Sequence, residues 1–217
     1  MKSTALDYVI SGSLICLLLA ASLGLASVLV PLTRTLLADY HVLADAAIVL
    51  LVYGLLSALA VKLLLWLRPI PPGSHADDSA AFANWKLVTV TYRLGQGALH
   101  PFVPFFARHL LEKLFGAHIG SNVACGGAID DPYLLWLGDG SVLGFASLVS
   151  GNYLSEGKLV CGPVRIGSRV TIGANAIVMP GTTIGDGATV TSGACVMPGT
   201  TIPAGETWRG NPARKWM

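Results

Sequence analysis

Charge is scarce in this chain. Lys, Arg, Asp and Glu make up 12% of its 217 residues, about half the share in an average soluble protein, which argues against an ordinary cytosolic enzyme. The formal net charge is only +2, and Lys and Arg form no cluster, so no basic field exists to hold nucleic acid. Cysteine is sparse as well. Cys16, Cys125, Cys161 and Cys195 are widely spread, without a CxxC pair or a histidine at ligand spacing, so neither a zinc site nor a disulfide framework is expected. Histidine is absent after His118, a gap that bears on the chemistry below.

Apolar residues, by contrast, reach 53%, and they are concentrated at one end. The first 67 positions hold six charged residues: Lys2, Asp7, Arg34, Asp39, Asp45 and Lys62. Between Asp7 and Arg34 lie 26 uncharged residues, which as a helix extend about 39 Å and cross a bilayer with tilt. A second run, Ala46 to Leu67, carries only Lys62, near its end, where the stem reaches the headgroups. Residues 1–68 therefore read as a retained transmembrane hairpin rather than a cleaved signal peptide. Asp45 reads as an interfacial helix-start residue. The balance of Lys2, Arg34, Lys62 and Arg68 favours both ends in the cytoplasm of an inner-membrane, multi-pass protein.

Residues 69–118 read as a connector. Arg68 to Ala80 is rich in Pro, Gly, Ser and Asp and reads as a loop. Pro101 to Phe115 has helical spacing of Val103, Phe106, Leu110, Leu111 and Leu114, with Arg108, His109, Glu112 and Lys113 opposite. Phe82, Trp85 and Tyr92 with Lys86 and Arg93 suggest a similar element upstream. Such helices either lie in the headgroup layer or cap the soluble domain.

From Ile166 the chain divides into sixes: IGSRVT, IGANAI, VMPGTT, IGDGAT, VTSGAC, VMPGTT, IPAGET, WRGNPA. Each opens on a large apolar residue, and the fifth position is mostly small (Val170, Ala176, Thr182, Ala188, Ala194, Thr200), so both must point inward. VMPGTTI occurs at Val178–Ile184 and again at Val196–Ile202, a separation of 18. Three sixes make one triangular coil, with coils stacked at the roughly 4.8 Å spacing of paired strands. A weaker frame opens at Ile119 and runs through Leu137, Leu143 and Val149. The two frames are offset by an insertion over about Ser150–Leu159, which a coil tolerates only at a corner. Counting both gives about 14 hexads, or four to five coils. So small a core invites association, and a homotrimer is expected.

The stretch from Ile166 to Arg214 resembles the hexapeptide-repeat acyltransferases. The resemblance implies a mainly β fold, a left-handed parallel β-helix over residues 119–217, a trimeric assembly and acyl-CoA, most often acetyl-CoA, as co-substrate without a metal. The hairpin, the connector, GAHIG and GPVRIG together also resemble, more faintly, the membrane-bound units at the C-terminus of ε-poly-lysine synthetase-like nonribosomal peptide synthetases. By the first resemblance, the pantetheine arm meets corners one coil apart, here Ala174 in IGANA and Ser192 in VTSGA. GNPAR resembles the segment near the nucleotide, which makes Arg214, with Lys215 beside it, the candidate for phosphate contact. The position where relatives often carry a catalytic histidine falls on Asn152 in SGNYLSEG. An amide orients a substrate but cannot take its proton.

Three accounts of the missing base stay open. The acceptor is an amine, for which positioning and oxyanion stabilisation suffice; or His100, His109 or His118 supplies the base; or the prism has lost activity. Tyr153 and Glu156 share the loop and are further candidates. A γ-class carbonic anhydrase needs histidines in the coils, and a sugar nucleotidyltransferase needs a dinucleotide fold ahead of them; both readings fail. The expected function is a membrane-anchored acyltransferase acting on a hydroxyl or amine acceptor, lipid-linked or membrane-delivered. The alternative is an inactive trimeric scaffold that binds a partner enzyme.

Overall fold

The computed structural model describes residues 5–216; Lys2, used above for orientation, lies outside them. The chain forms two compact units, one built from the residues up to 69 together with 83–104, the other from 70–82 and 105 onwards.

The first unit is helical. It comprises α1 (Ala5–Ser27), α2 (Val30–Leu37), α3 (His41–Leu67) and most of α4 (Ala80–Leu99). The helices Ala5–Ser27 and Val30–Leu67 are long and apolar enough to cross a membrane. The first apolar run does not continue to Arg34 as one helix. Pro31 lies in the first turn of α2, a position it tolerates because the missing N–H has no intrahelical partner there, so α1 ends at Ser27. Asp45 sits one turn inside α3, where its Oδ1 accepts from Thr33 Oγ1 at 2.6 Å. The connector helix α4 belongs for the most part to the helical unit. It runs antiparallel to α3: Asn84 Nδ2 donates to the carbonyl of Arg68, and a Cβ at Gly54 would fall 2.2 Å from Leu99 Cγ. Gly54 leaves the space that the Leu99 side chain fills.

The second unit is a three-sided parallel β-helix. Its first face holds β2 (His118–Ile119), β5 (Leu135–Leu137), β10 (Val164–Ile166), β13 (Thr183–Ile184) and β16 (Thr201–Ile202). The second holds β3 (Ala124–Cys125), β6 (Val142–Leu143), β11 (Thr171–Ile172), β14 (Thr189–Val190) and β17 (Thr207–Arg209), extended by the antiparallel β18 (Arg214–Lys215). The third holds β4 (Ala128–Ile129), β7 (Leu148–Val149), β12 (Ile177–Val178) and β15 (Cys195–Val196). The hexad count is thereby met, and the 18-residue register holds on every face among the coils that follow the insertion, as in Thr171↔Thr189 and Ile177↔Cys195, whereas Ile129 pairs with Val149, 20 residues on.

Hexad openers and fifth positions fill the interior: Ile172, Ala176, Val178, Thr182, Ala188, Val190 and Val196 are all at 0% exposure. Thr200, in the last coil, is only half-buried. From Arg169 to Gly205 the fourth residue of each hexad turns the corner in the left-handed conformation, with φ of 53° at Arg169, 56° at Asn175 and 75° at Gly181, which is why Gly or Asn so often occupies it.

Across the insertion the register becomes Leu148↔Ile177 and Val142↔Thr171. The extra residues form a hairpin, β8 (Asn152–Ser155) and β9 (Lys158–Cys161), closed by the two-residue turn Glu156-Gly157 with φ of 50° and 75°. The connector supplies a third strand, β1 (Gly73–His75), antiparallel to β9. The amphipathic stretch Pro101–Phe115 does not form one helix. Pro101 and Pro104 interrupt it, leaving short 3-10 turns at His100–Phe102 and Phe105–Ala107, then α5 (Arg108–Leu114).

Since Ile184 stacks between Ile166 and Ile202 in a dry column, Ile184→Ala is expected to cost about 2–5 kcal/mol. Chemical denaturation of the full chain in detergent measures this as a lower midpoint at unchanged slope.

Candidate functional site

Two corners of the prism and its C-terminal end carry the residues singled out by sequence. Ala174 and Ser192 lie one coil apart at the corner between the second and third faces. Gly193 N donates to the Ala174 carbonyl at 2.9 Å, and Asn175 N donates to the Phe145 carbonyl at 3.0 Å. Phe145, Ala174 and Ser192 therefore form one column. Ser192 and Phe145 are exposed and Ala174 is half-buried. Backbone packing is dense here: a Cβ at Gly173 would come within 2.3 Å of Ser192 N.

The other corner lies between the third and first faces, where the hairpin leaves the prism. Gly162 N donates to the Gly151 carbonyl at 2.9 Å and closes the hairpin base. Ser150 Oγ donates to the Asn152 carbonyl at 2.8 Å. The Asn152 side chain donates through Nδ2 to Asp131 Oδ2 at 2.5 Å, and Tyr133 OH approaches Asp131 Oδ1 at 3.4 Å. Asp131 is 2% exposed. A buried carboxylate only accepts, so it fixes the orientation of the Asn152 amide: nitrogen toward Asp131, oxygen away. The same charge colours its surroundings. Burial pushes the Cys161 thiol up to about 12, and Asp131 adds to that shift. Tyr133 is also raised, first by burial and then by the Asp131 charge, so it stays a protonated donor.

Asn152 and Asp131 thus meet, but the other loop candidates do not join them. Tyr153 follows Asn152 on the strand, so its side chain points to the opposite face, where it pairs with Val160. Glu156 is exposed at the hairpin tip, four residues and about 13 Å along the strand from Asn152. Sequence reading missed Asp131 and Tyr133. Their signal was present: counting sixes from Ile119 puts position 131 in line with Leu137, so an aspartate stands where the repeat places an apolar residue. The chain accommodates it through a shorter step to β4 and a 3-10 turn at Pro132–Leu134, which puts Ile129 into the core instead.

The histidines occupy other places. His118 stacks on Trp136 at 5.0 Å, with Arg165 over the same ring at 4.5 Å, along the outside of the first face. His109 lies in α5 and His100 in a 3-10 turn of the helical unit. Among the described residues no group of three or more His, Cys, Asp and Glu is placed to hold a metal ion.

At the C-terminal end, Lys215 Nζ pairs with Glu206 Oε1 at 2.6 Å, and Glu206 Oε2 accepts from Trp208 Nε1 at 2.9 Å. Lys215 is therefore committed to Glu206. The exposed Arg214 guanidinium donates to the Ala213 carbonyl at 3.1 Å, and Arg209 lies over the Trp216 ring at 4.7 Å. The hydrogen bond from Lys215 and then that from Trp208 hold the Glu206 carboxyl below its ordinary value. A depressed folded pKa means that this clamp on β18 is intact at neutral pH and is lost as pH falls through the folded value. Acid titration followed by tryptophan fluorescence should show β18 releasing before the prism melts, and Glu206→Gln should remove that step.

Residues 163–198 match the family model described as the hexapeptide repeat of succinyl-transferase. No curated protein sequence matches the chain. Among solved structures, the chain is similar to a hexapeptide-repeat-containing acetyltransferase from Vibrio cholerae O1 biovar eltor, complexed with acetyl coenzyme A. The identity is 17% and the TM-score 0.51, covering 65% of this chain and 90% of that one. It is also similar to a galactoside acetyltransferase in complex with coenzyme A, at 19% identity and a TM-score of 0.50, covering 66% and 85%. These likenesses establish the fold of the repeat region. None of them speaks to the likeness with synthetase membrane units.

Proposed function

We propose that this protein is a membrane-anchored acyltransferase that moves an acetyl or other short acyl group from acyl-CoA to an amine or hydroxyl acceptor delivered at the membrane. The observation that carries the reading is the Asn152–Asp131 pair, a buried polar dyad at the corner where the insertion leaves the coil. Structural scaffolding alone gives no reason to bury a carboxylate and tie an amide to it, since burial of a charge costs several kcal/mol unless it is well partnered.

The oriented amide decides what the corner can do. With one Nδ2 hydrogen held by Asp131, Oδ1 is left as an acceptor, so Asn152 holds an N–H or O–H of the nucleophile. An acceptor amine that arrives neutral attacks the thioester carbonyl with its own lone pair. The C–N bond forms and the C–S bond breaks, and the proton shed by nitrogen ends on the departing thiolate. No side-chain base is required, which suits a corner without histidine better than a hydroxyl acceptor does. Correct placement of the reacting groups supplies a large share of the rate.

The two fold neighbours are described with acetyl coenzyme A and coenzyme A. By analogy, the Ala174–Ser192 column holds the pantetheine arm and Arg214 approaches the phosphates. That column and Asn152 flank opposite edges of the third face, so a site that uses both takes one from each of two copies. The outward side chains of that face, Ala128, Leu148, Ile177 and Cys195, are apolar apart from the thiol, as a homotrimer contact requires. The helices Ala5–Ser27 and His41–Leu67 anchor the assembly, with the β unit on the cytoplasmic side where acyl-CoA is found.

The test is thiol release from acetyl-CoA by the full chain in detergent with panels of amine and hydroxyl acceptors. Asn152→Ala should lower kcat/KM by about 10–100-fold with the assembly intact. Asn152→His should raise transfer to hydroxyls. Ala174→Trp should abolish coenzyme binding without changing oligomer mass. Absence of coenzyme binding even at millimolar concentration would sink the enzyme reading in favour of the scaffold.

A further inference from the structure

The helical unit contains a polar pocket that nothing in the acyl-transfer reading uses. Where α1 begins, α3 ends and α4 begins, a cavity of about 300 Å³ is lined by Asp7, Ser11, Arg68, Asn84 and Lys86, with leucine and isoleucine beneath them. Lys86 and Asp7 form an ion pair across it, and their charges cancel. Arg68 adds an uncancelled positive charge at an exposed position. Asn84 is 4% exposed. Its Nδ2 donates to the Arg68 carbonyl, which fixes the amide so that Oδ1 faces the other way, and that oxygen is buried without a hydrogen-bond partner. An unmet buried acceptor costs about 1–3 kcal/mol, and a ligand that brings a donor to this pocket-lining residue would offset that cost.

A second cavity, about 450 Å³, lies along the same three helices. It is lined almost wholly by apolar groups, among them Leu19, Leu50, Leu94 and Ala98. The two cavities share helix faces. Leu50 precedes Arg68 by 18 residues, five full turns, and Leu94 follows Ala83 by 11, close to three turns. The two cavities follow one another along these helices, from a cationic, donor-seeking end at the ends of the spans to an apolar end about 16 Å further in by the α4 offset and about 27 Å by the α3 offset.

We propose that these two cavities together bind an anionic membrane amphiphile. Its phosphate pairs with Arg68, a hydroxyl of its headgroup donates to Asn84 Oδ1, and its hydrocarbon chain lies in the Leu50–Leu94 slot. The planar guanidinium matches phosphate geometry, and the level of Arg68 at the end of α3 is where lipid phosphates lie. The slot reaches deeper than half of a hydrocarbon layer about 30 Å thick, so it favours a long chain. The proposal stands independently of acyl transfer.

Native mass spectrometry of the full chain released from neutral maltoside micelles tests it, with dodecyl phosphate as probe. The expected result is saturable binding of dodecyl phosphate, at least tenfold weaker in Arg68→Gln and in Asn84→Ala, with inorganic phosphate at least a hundredfold weaker than the amphiphile. Leu94→Trp, which fills the slot, should weaken the amphiphile and leave the ion pair at the head untouched. Asn84→Ala also removes a tie to α3, so Arg68→Gln, which keeps every backbone group, is the deciding variant. Binding that is unchanged in Arg68→Gln, absent in the wild type, or matched by inorganic phosphate would overturn the proposal. Asn152→Ala must bind the probe as the wild type does. Its loss of transfer with binding retained separates failure of this site from failure of the enzyme reading.

Discussion

The β unit rests on one constraint: side chains six apart must share a dry triangular interior while backbones 18 apart pair in register. Each coil gains little by itself, because a single turn of prism cannot enclose its own apolar residues. Stacking supplies the enclosure. It also forces the backbones of successive corners so close that a Cβ at Gly120 or Gly167 would fall within 2.3 Å of an aspartate in the next coil. Those aspartates, Asp139 and Asp186, accept from Ser121 N and Ser168 N. The repeated IGS and GDG segments are thus two halves of one inter-coil contact.

From that constraint follows where departures are permitted. A face cannot gain or lose residues without turning apolar side chains outward, so every irregularity falls at a corner. Two of them fall at the same corner, the 3-10 turn at Pro132–Leu134 and the hairpin that begins at Asn152, in adjacent coils. Their coincidence puts Asp131 against Asn152. The connector strand β1 then pairs with β9, so the hairpin is built into a sheet rather than left as a free loop, and Asn152 sits at its rigid base.

Much of this was legible in the residues. The period of six, the repeat of VMPGTTI and the glycines and asparagines at fourth positions specified the prism, because each answers to a local rule of geometry. What was not legible depended on contacts between distant segments. The amphipathic spacing of Pro101–Phe115 was real, but two prolines outweighed it. The polar residues of α4 concealed that it packs along α3, since the Asn84 amide nitrogen and the Lys86 ammonium are held by Arg68 and Asp7, 16 and 79 positions away. Tyr153 and Glu156 were grouped with Asn152 by proximity in sequence, whereas strand alternation and a two-residue turn separate them. Asp131 was legible in principle, as a charge at an inward position of the weaker frame.

A buried aspartate beside an amide constrains the chemistry in a way that a histidine would not. An imidazole at position 152 held by Asp131 would have its second nitrogen free to take a proton, and the pair would serve hydroxyl acceptors. An amide in the same place keeps the hydrogen-bond geometry and loses the basicity. What survives is orientation, and orientation is enough only for a nucleophile that carries its own lone pair in reactive form. The acidic partner disfavours a second anion nearby and favours the protonated form of an amine, so on the proposed reading the amine must arrive neutral and be held through Asn152 rather than against Asp131. On the proposed reading, the carboxylate that fixes the orientation of residue 152 would therefore also favour an amine over a hydroxyl acceptor.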